Sequence, residues 1–190
     1  MDQLRFTGDD DADRLLGHNP FALLVGMLLD QQIAMEVAFL GPWRLQERLG
    51  EELTPAAVAA REPGELEELF RVKPAIHRYP GSMATRTHAL ATYLVDHHGG
   101  DAAAVWEGAA DGRTLKRRLT ALPGYGDQKA RIFIALLGKR CGVTPEGWEA
   151  AAGEYAQPGY RSIADVVDAD SLQRVRGSKQ AAKARAKAAG

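Results

Sequence analysis

Two stretches of the chain carry residue types able to do chemistry. In the first, Asp30-Gln31-Gln32 follows directly on the apolar run Phe21 to Leu29. A carboxylate and two amides placed there need buried partners or an opening to solvent. In the second, Leu122-Pro123-Gly124-Tyr125-Gly126 leads into Asp127-Gln128-Lys129. The two glycines predict a tight turn with positive φ and a close backbone approach. The free N–H groups of the next helix, with Lys129 beside them, then form an anion site suited to a phosphate. Asp127 is expected to cap that helix.

The elements that position these residues are helical. Asn19-Pro20 predicts an N-cap and first turn for an apolar helix, and Thr54-Pro55 does the same further on. Amphipathic stretches are expected at Pro42 to Gly50, Glu62 to Phe70 and Thr85 to His98. Val72 to Arg86 is broken by Pro74, Pro80 and Gly81 and predicts loop and short turns. Thr114 to Leu122 and Asp127 to Arg140 flank the glycine turn. Pro123 stops the first of these, because the residue before a proline is pushed out of helical geometry. Short helices are expected between Trp148 and Val175. Residues 176–190, basic and Ala-rich, predict a disordered tail.

Composition narrows the function. The 190 residues are 45% hydrophobic and 26% charged, enough for a core. The single Cys141 excludes an internal disulfide framework and a four-cysteine iron–sulfur cluster. His88, His97 and His98 lack ligand partners at suitable spacing, so no metal site is expected. No apolar run is long enough to span a bilayer, and the acidic N-terminus is no signal peptide. A cytoplasmic monomer without a cofactor is the expectation. The net charge of −1 conceals an asymmetry: residues 1–69 hold fourteen Asp/Glu against five Lys/Arg, whereas residues 113–140 hold eight Lys/Arg against one acid. Local potential decides phosphate binding. A basic helix face that merely meets solvent would give the same run.

The Leu-Pro-Gly-Tyr-Gly turn between basic helices resembles the helix-hairpin-helix of the HhH-GPD superfamily of base-excision DNA glycosylases. Leu28-Leu29-Asp30-Gln31-Gln32 is similar to the stretch that leads into that family's DNA-facing cleft. The resemblance covers roughly residues 18–148. It implies an all-α, two-lobed fold of a small bacterial type without an iron–sulfur cluster. An N-terminal segment (1–17) is expected to pack on the C-terminal lobe. A helical core (18–145) carries the hairpin at 115–140, and a helical segment (146–175) precedes the tail.

The implied partner is double-stranded, damaged DNA, and the implied reaction is hydrolysis of the bond between a damaged base and its sugar. That chemistry needs a carboxylate beneath the sugar, where positive charge develops, and a base flipped out of the stack. Counting from Gln128 reaches Glu146 at the place of the family's catalytic Asp, one methylene longer and in the altered context Thr144-Pro145-Glu146-Gly147-Trp148. Asp30 is the second candidate. Gln32, Gly124, Tyr125, Gly126, Gln128, Lys129 and Arg131 are the expected DNA contacts. Gln31, His77, Tyr79 and Met83 are the expected base pocket, though a surface loop with an incidental aromatic would read alike. Gln128 stands where lyase-competent members carry a nucleophilic Lys, so strand cutting is not expected. Lys129 is expected to be a solvated phosphate ligand. Without a catalytic carboxylate, the same features describe a non-catalytic protein that recognises lesions.

Overall fold

A computed structural model describes residues 4–188, ordered as ten α-helices with short 3-10 turns between them. No strand occurs among the described residues; there is one isolated parallel bridge, between Asp111 and Glu146. No helix among them is long and apolar enough to cross a membrane.

The first lobe is built on α2 (Pro20–Leu29), in which every residue from Phe21 to Leu29 is buried. Its start is as expected: the Asn19 side chain accepts from the Ala22 N–H at 2.9 Å, with Pro20 opening the helix. The same side chain donates to the Leu53 carbonyl at 2.8 Å and ties α2 to the loop ahead of Thr54. Helix α3 (Met35–Leu49) packs closely on α2, because Gly26 leaves room for the ring of Phe39; a Cβ there would sit 2.6 Å from that ring. Pro42 does not open this helix, as the sequence predicts, but lies inside it. Helices α4 (Pro55–Ala59) and α5 (Pro63–Arg71) pack on α6 (Pro80–His98). Thr54 caps α4 as expected, accepting from Ala57 N–H at 3.1 Å.

Helix α6 begins at Pro80, so the irregular segment is shorter than its prolines suggest. Pro80 occupies the first turn, where a missing N–H costs nothing. Helix α1 (Asp10–His18) and the residues before it pack on α2 and α3, with Phe6 edge-on to Phe39 at 5.3 Å. The expected docking of this segment on the C-terminal lobe is therefore corrected. Phe6 and Leu4 are fully buried, and Phe6 finds its ring partner, Phe39, in the first lobe.

The second lobe holds α7 (Gly112–Thr120), α8 (Asp127–Arg140), α9 (Trp148–Ala152) and α10 (Ala169–Ala188). Helix α8 is its axis and buries Ala130 and Ile132 to Leu137. The chain after α8 folds back over the start of α7: the Gly112 N–H donates to the Glu146 carbonyl at 2.8 Å, and Trp148 lies over Gly138. Where the sequence predicts a disordered tail, the structure continues α10 to Ala188, in keeping with the strong helix propensity of its Ala, Lys and Arg residues.

Candidate nucleic-acid interface and cleft

The turn between α7 and α8 is a helix-hairpin-helix. Gly124 has φ +82°, and a Cβ on it would collide with Leu28 Cδ1, so both conformation and space require glycine. Gly126 differs from expectation. Its φ is −86°, an ordinary extended value, and nothing lies within 4 Å of where its Cβ would be. What Gly126 provides is open space at the N-terminus of α8. No side chain caps that terminus. Asp127 does not cap it, contrary to expectation, but is the first helical residue and pairs with Lys116 at 2.6 Å. That pair holds the Asp127 carboxyl below its usual range.

The hairpin is fixed to α2 from within. Tyr125 is 5% exposed, packs edge-on to Phe133 and donates its O–H to the Leu24 carbonyl at 2.7 Å. Its side chain belongs to the core and does not reach a DNA-facing surface. Burial pushes its phenol well above the usual tyrosine value. Lys129 is the second correction. Its ammonium turns inward and donates to the carbonyls of Met27 (2.9 Å) and Leu28 at the C-terminus of α2. Burial lowers its pKa to about 8; Asp30 opposes that shift, while Arg86 and Lys179 add to it. Lys129 is thus a bolt between helices, one helical step away from the outward-facing Gln128.

Asp30 ends α2 and lines a cleft of about 650 Å³ with Gln31, Gln32, Ile33, Gln128 and Ile132. The opposite wall comes from the C-terminal third: Glu154, Tyr155, Gly159, Tyr160, Arg161 and Lys179 are among its residues. The Asp30 side chain is 8% exposed, and its carboxylate lies 3.3 Å from Lys179. The turn after it is strained, with Gln32 at φ +57°, the left-handed conformation that a residue with a Cβ rarely adopts. His77 supports this turn. It is 2% exposed, its Nδ1 accepts from Tyr79 N–H at 3.0 Å, and its Nε2 therefore carries the proton and donates to the Gln31 carbonyl at 3.0 Å. The Gln31 amide donates to Met83 Sδ at 3.1 Å.

The structure thus brings Gln31, His77 and Met83 into one cluster, with Tyr79 exposed beside it under the Arg78 guanidinium. His77 and Met83 are buried behind the turn rather than lining the cleft. Gln32 and Gln128 do line it, and the Gln128 amide donates to the Tyr155 hydroxyl at 3.0 Å. Arg131 is held over the Tyr155 ring (5.4 Å) and near Glu154 (3.6 Å). Glu146 is not brought to the cleft. It borders a separate depression with Asp111, Arg113 and Lys116, because its backbone is committed to the bridge with α7. Tyr155, Tyr160, Arg161 and Lys179 are cleft residues that sequence reasoning missed.

Burial of His77, together with the nearby Lys129 and Arg86 charges, lowers its pKa. The sign follows directly. The unfolded chain takes up a proton near pH 6.5 that the folded chain resists, so the stability His77 contributes is complete above that pH and is lost as pH falls through it. Thermal melts from pH 7.5 down to 5.5 are expected to show a falling Tm, and a His77→Gln variant, which cannot protonate, a shallower fall. An equal slope in both would remove His77 as the cause.

No curated protein and no solved structure matches the chain. A family model does, that of the HhH-GPD superfamily base excision DNA repair protein, over residues 25–189, which takes in the cleft turn, the hairpin and all of α10. The all-helical architecture, the glycine hairpin and this match agree, and the chain belongs to the HhH-GPD superfamily of base excision DNA repair proteins.

Proposed function

We propose that the protein is a monofunctional DNA glycosylase that hydrolyses the N-glycosidic bond of a damaged base in duplex DNA. One observation carries this reading: the Asp30 carboxylate lies in the cleft beside Gln32 and Gln128, close to the hairpin that would grip the strand. The uncapped N–H groups at the start of α8 face open space at Gly126 and suit a backbone phosphate. Gln32, in its strained turn, fills the gap left by an extruded nucleotide. Tyr160, 38% exposed at the cleft, offers an aromatic ring against a base. As the glycosidic bond breaks, its electron pair leaves with the base and positive charge develops on the sugar. Asp30 stabilises that charge and takes a proton from the water whose oxygen bonds to the sugar carbon. The departing base takes up a proton from solvent, and Asp30 releases to solvent the one it took from water.

The test is a panel of duplexes carrying different lesions, scored for base release and for binding. Release from at least one lesion is expected. Binding without release from any of them would favour the second reading, a non-catalytic lesion-binding protein, which the position of Glu146 outside the cleft supports.

The same substrates test the reaction type. Gln128 is an amide and forms no Schiff base, and the Lys129 ammonium is engaged by two α2 carbonyls. Borohydride treatment during turnover is expected to trap no protein–DNA adduct. An adduct that disappears in Lys129→Ala would make that buried amine, with its pKa of about 8, a nucleophile and the enzyme a lyase.

A further inference from the structure

Helix α10 has a root and a tip held by different forces. At the root, the Asp168 carboxylate caps the first turn, accepting from the Ser171 N–H at 2.8 Å, while the Ser171 hydroxyl accepts from the Val167 and Asp168 N–H groups at 2.9 Å, and Val175 is fully buried. Beyond Val175 no described residue of α10 is buried. The tip is held by two ion pairs instead. Arg176 reaches Glu36 on α3 at 2.9 Å, and Lys179 reaches Asp30 at 3.3 Å. Gly177 lies between them, and nothing within 4 Å of its Cβ position calls for a glycine on grounds of space. A glycine inside a helix weakens it at that point. Ser178, Lys179 and Ala182 form part of the cleft wall, so in this conformation α10 closes one side of the cleft.

We propose that the tip of α10, from Gly177 onward, is an electrostatic latch over the cleft, opened by the phosphates of incoming DNA. This rests on the reading of the cleft as the DNA-facing site. Lys179 places an ammonium where a cationic sugar would need the Asp30 carboxylate, so the closed state blocks the site by charge as well as by bulk. Partly exposed ion pairs contribute little and are screened by salt. A polyanion competes for both cations at once and leaves Asp30 and Glu36 free. Gly177 is where the helix bends as the tip swings away.

The experiment is a spin-label distance measurement on the full chain, with Ser178→Cys on α10 and Glu68→Cys on the exposed face of α5, in a Cys141→Ser background. The free protein is expected to give one narrow distance. A saturating short duplex is expected to move it to a longer, broader distribution, and Arg176→Gln with Lys179→Gln to do so without DNA. An unchanged distance in a sample shown by anisotropy to have bound the duplex would overturn the latch. If no duplex binds, the DNA reading fails and opening by DNA fails with it; an unchanged distance in the doubly neutralised variant overturns the latch by itself, whether or not a duplex binds.

Discussion

Asp30→Asn is expected to reduce base release by roughly 10³-fold, the scale on which a positioned acid–base group and a charge stabiliser contribute to a barrier. Duplex affinity should hold or rise, since the substitution removes a negative charge from a surface that meets phosphate. The carboxamide is nearly isosteric with the carboxylate, so the end of α2 and the turn after it should persist. Glu146→Gln is the matched control. Its carboxylate borders a different depression, and release is expected to be unchanged. The measurement is single-turnover base release on whichever lesion the panel identifies, with affinity measured separately. Full activity in Asp30→Asn, or loss of activity in Glu146→Gln, would mean that the chemistry is not organised around the cleft described above.

The second large effect is on the fold. Gly124→Ala places a Cβ at φ +82° and drives it into Leu28 Cδ1. Left-handed backbone costs an alanine about 1–2 kcal/mol, and overpacking a filled contact costs about 1–3 more. The sum, roughly 2–5 kcal/mol, is a large part of the ~5–15 kcal/mol that holds a domain together. Urea denaturation should show a clear drop in midpoint. Gly126→Ala, in open space at φ −86°, should leave stability nearly unaltered. Its effect is expected in DNA binding alone, because a methyl group there narrows the approach of a phosphate to the α8 amides. Equal destabilisation by both substitutions would show that the hairpin glycines are not divided in this way.

The unequal legibility of the site has physical reasons. The hairpin was plain in the sequence, because a proline and two glycines in five residues between apolar helices admit few structures, and Asn19 and Thr54 cap where their types predict. The direction of side chains around the turn was not. Whether Tyr125 and Lys129 point to solvent or toward α2 depends on a helix far away in sequence, and both find acceptors among its carbonyls. Counting along the sequence brings Glu146 to the catalytic place only if the path of the chain is unchanged. Here Gly142 and Gly147, both at φ +71°, turn the chain so that residue 146 meets Asp111. The far wall of the cleft was out of reach for the same reason: Tyr155, Tyr160 and Lys179 converge on Asp30 only through the fold. The helix at the C-terminus had a signal in its alternating Ala and Lys/Arg, which its charge obscured.

The attachment of α8 to α2 has one more consequence. Tyr125, Lys129 and the close fit of Gly124 on Leu28 join the start of one helix to the end of the other. If the protein is the glycosylase proposed, the phosphate grip and the reactive carboxylate sit on the two jaws of a calliper with a locked screw. On the reading proposed here, strand geometry is measured rather than followed: only a nucleotide at one set distance from the gripped phosphate comes to rest over Asp30. Undoing the screw, by Tyr125→Phe for example, would leave the jaws intact and blur the gauge, so that the error appears in which position along the strand is served.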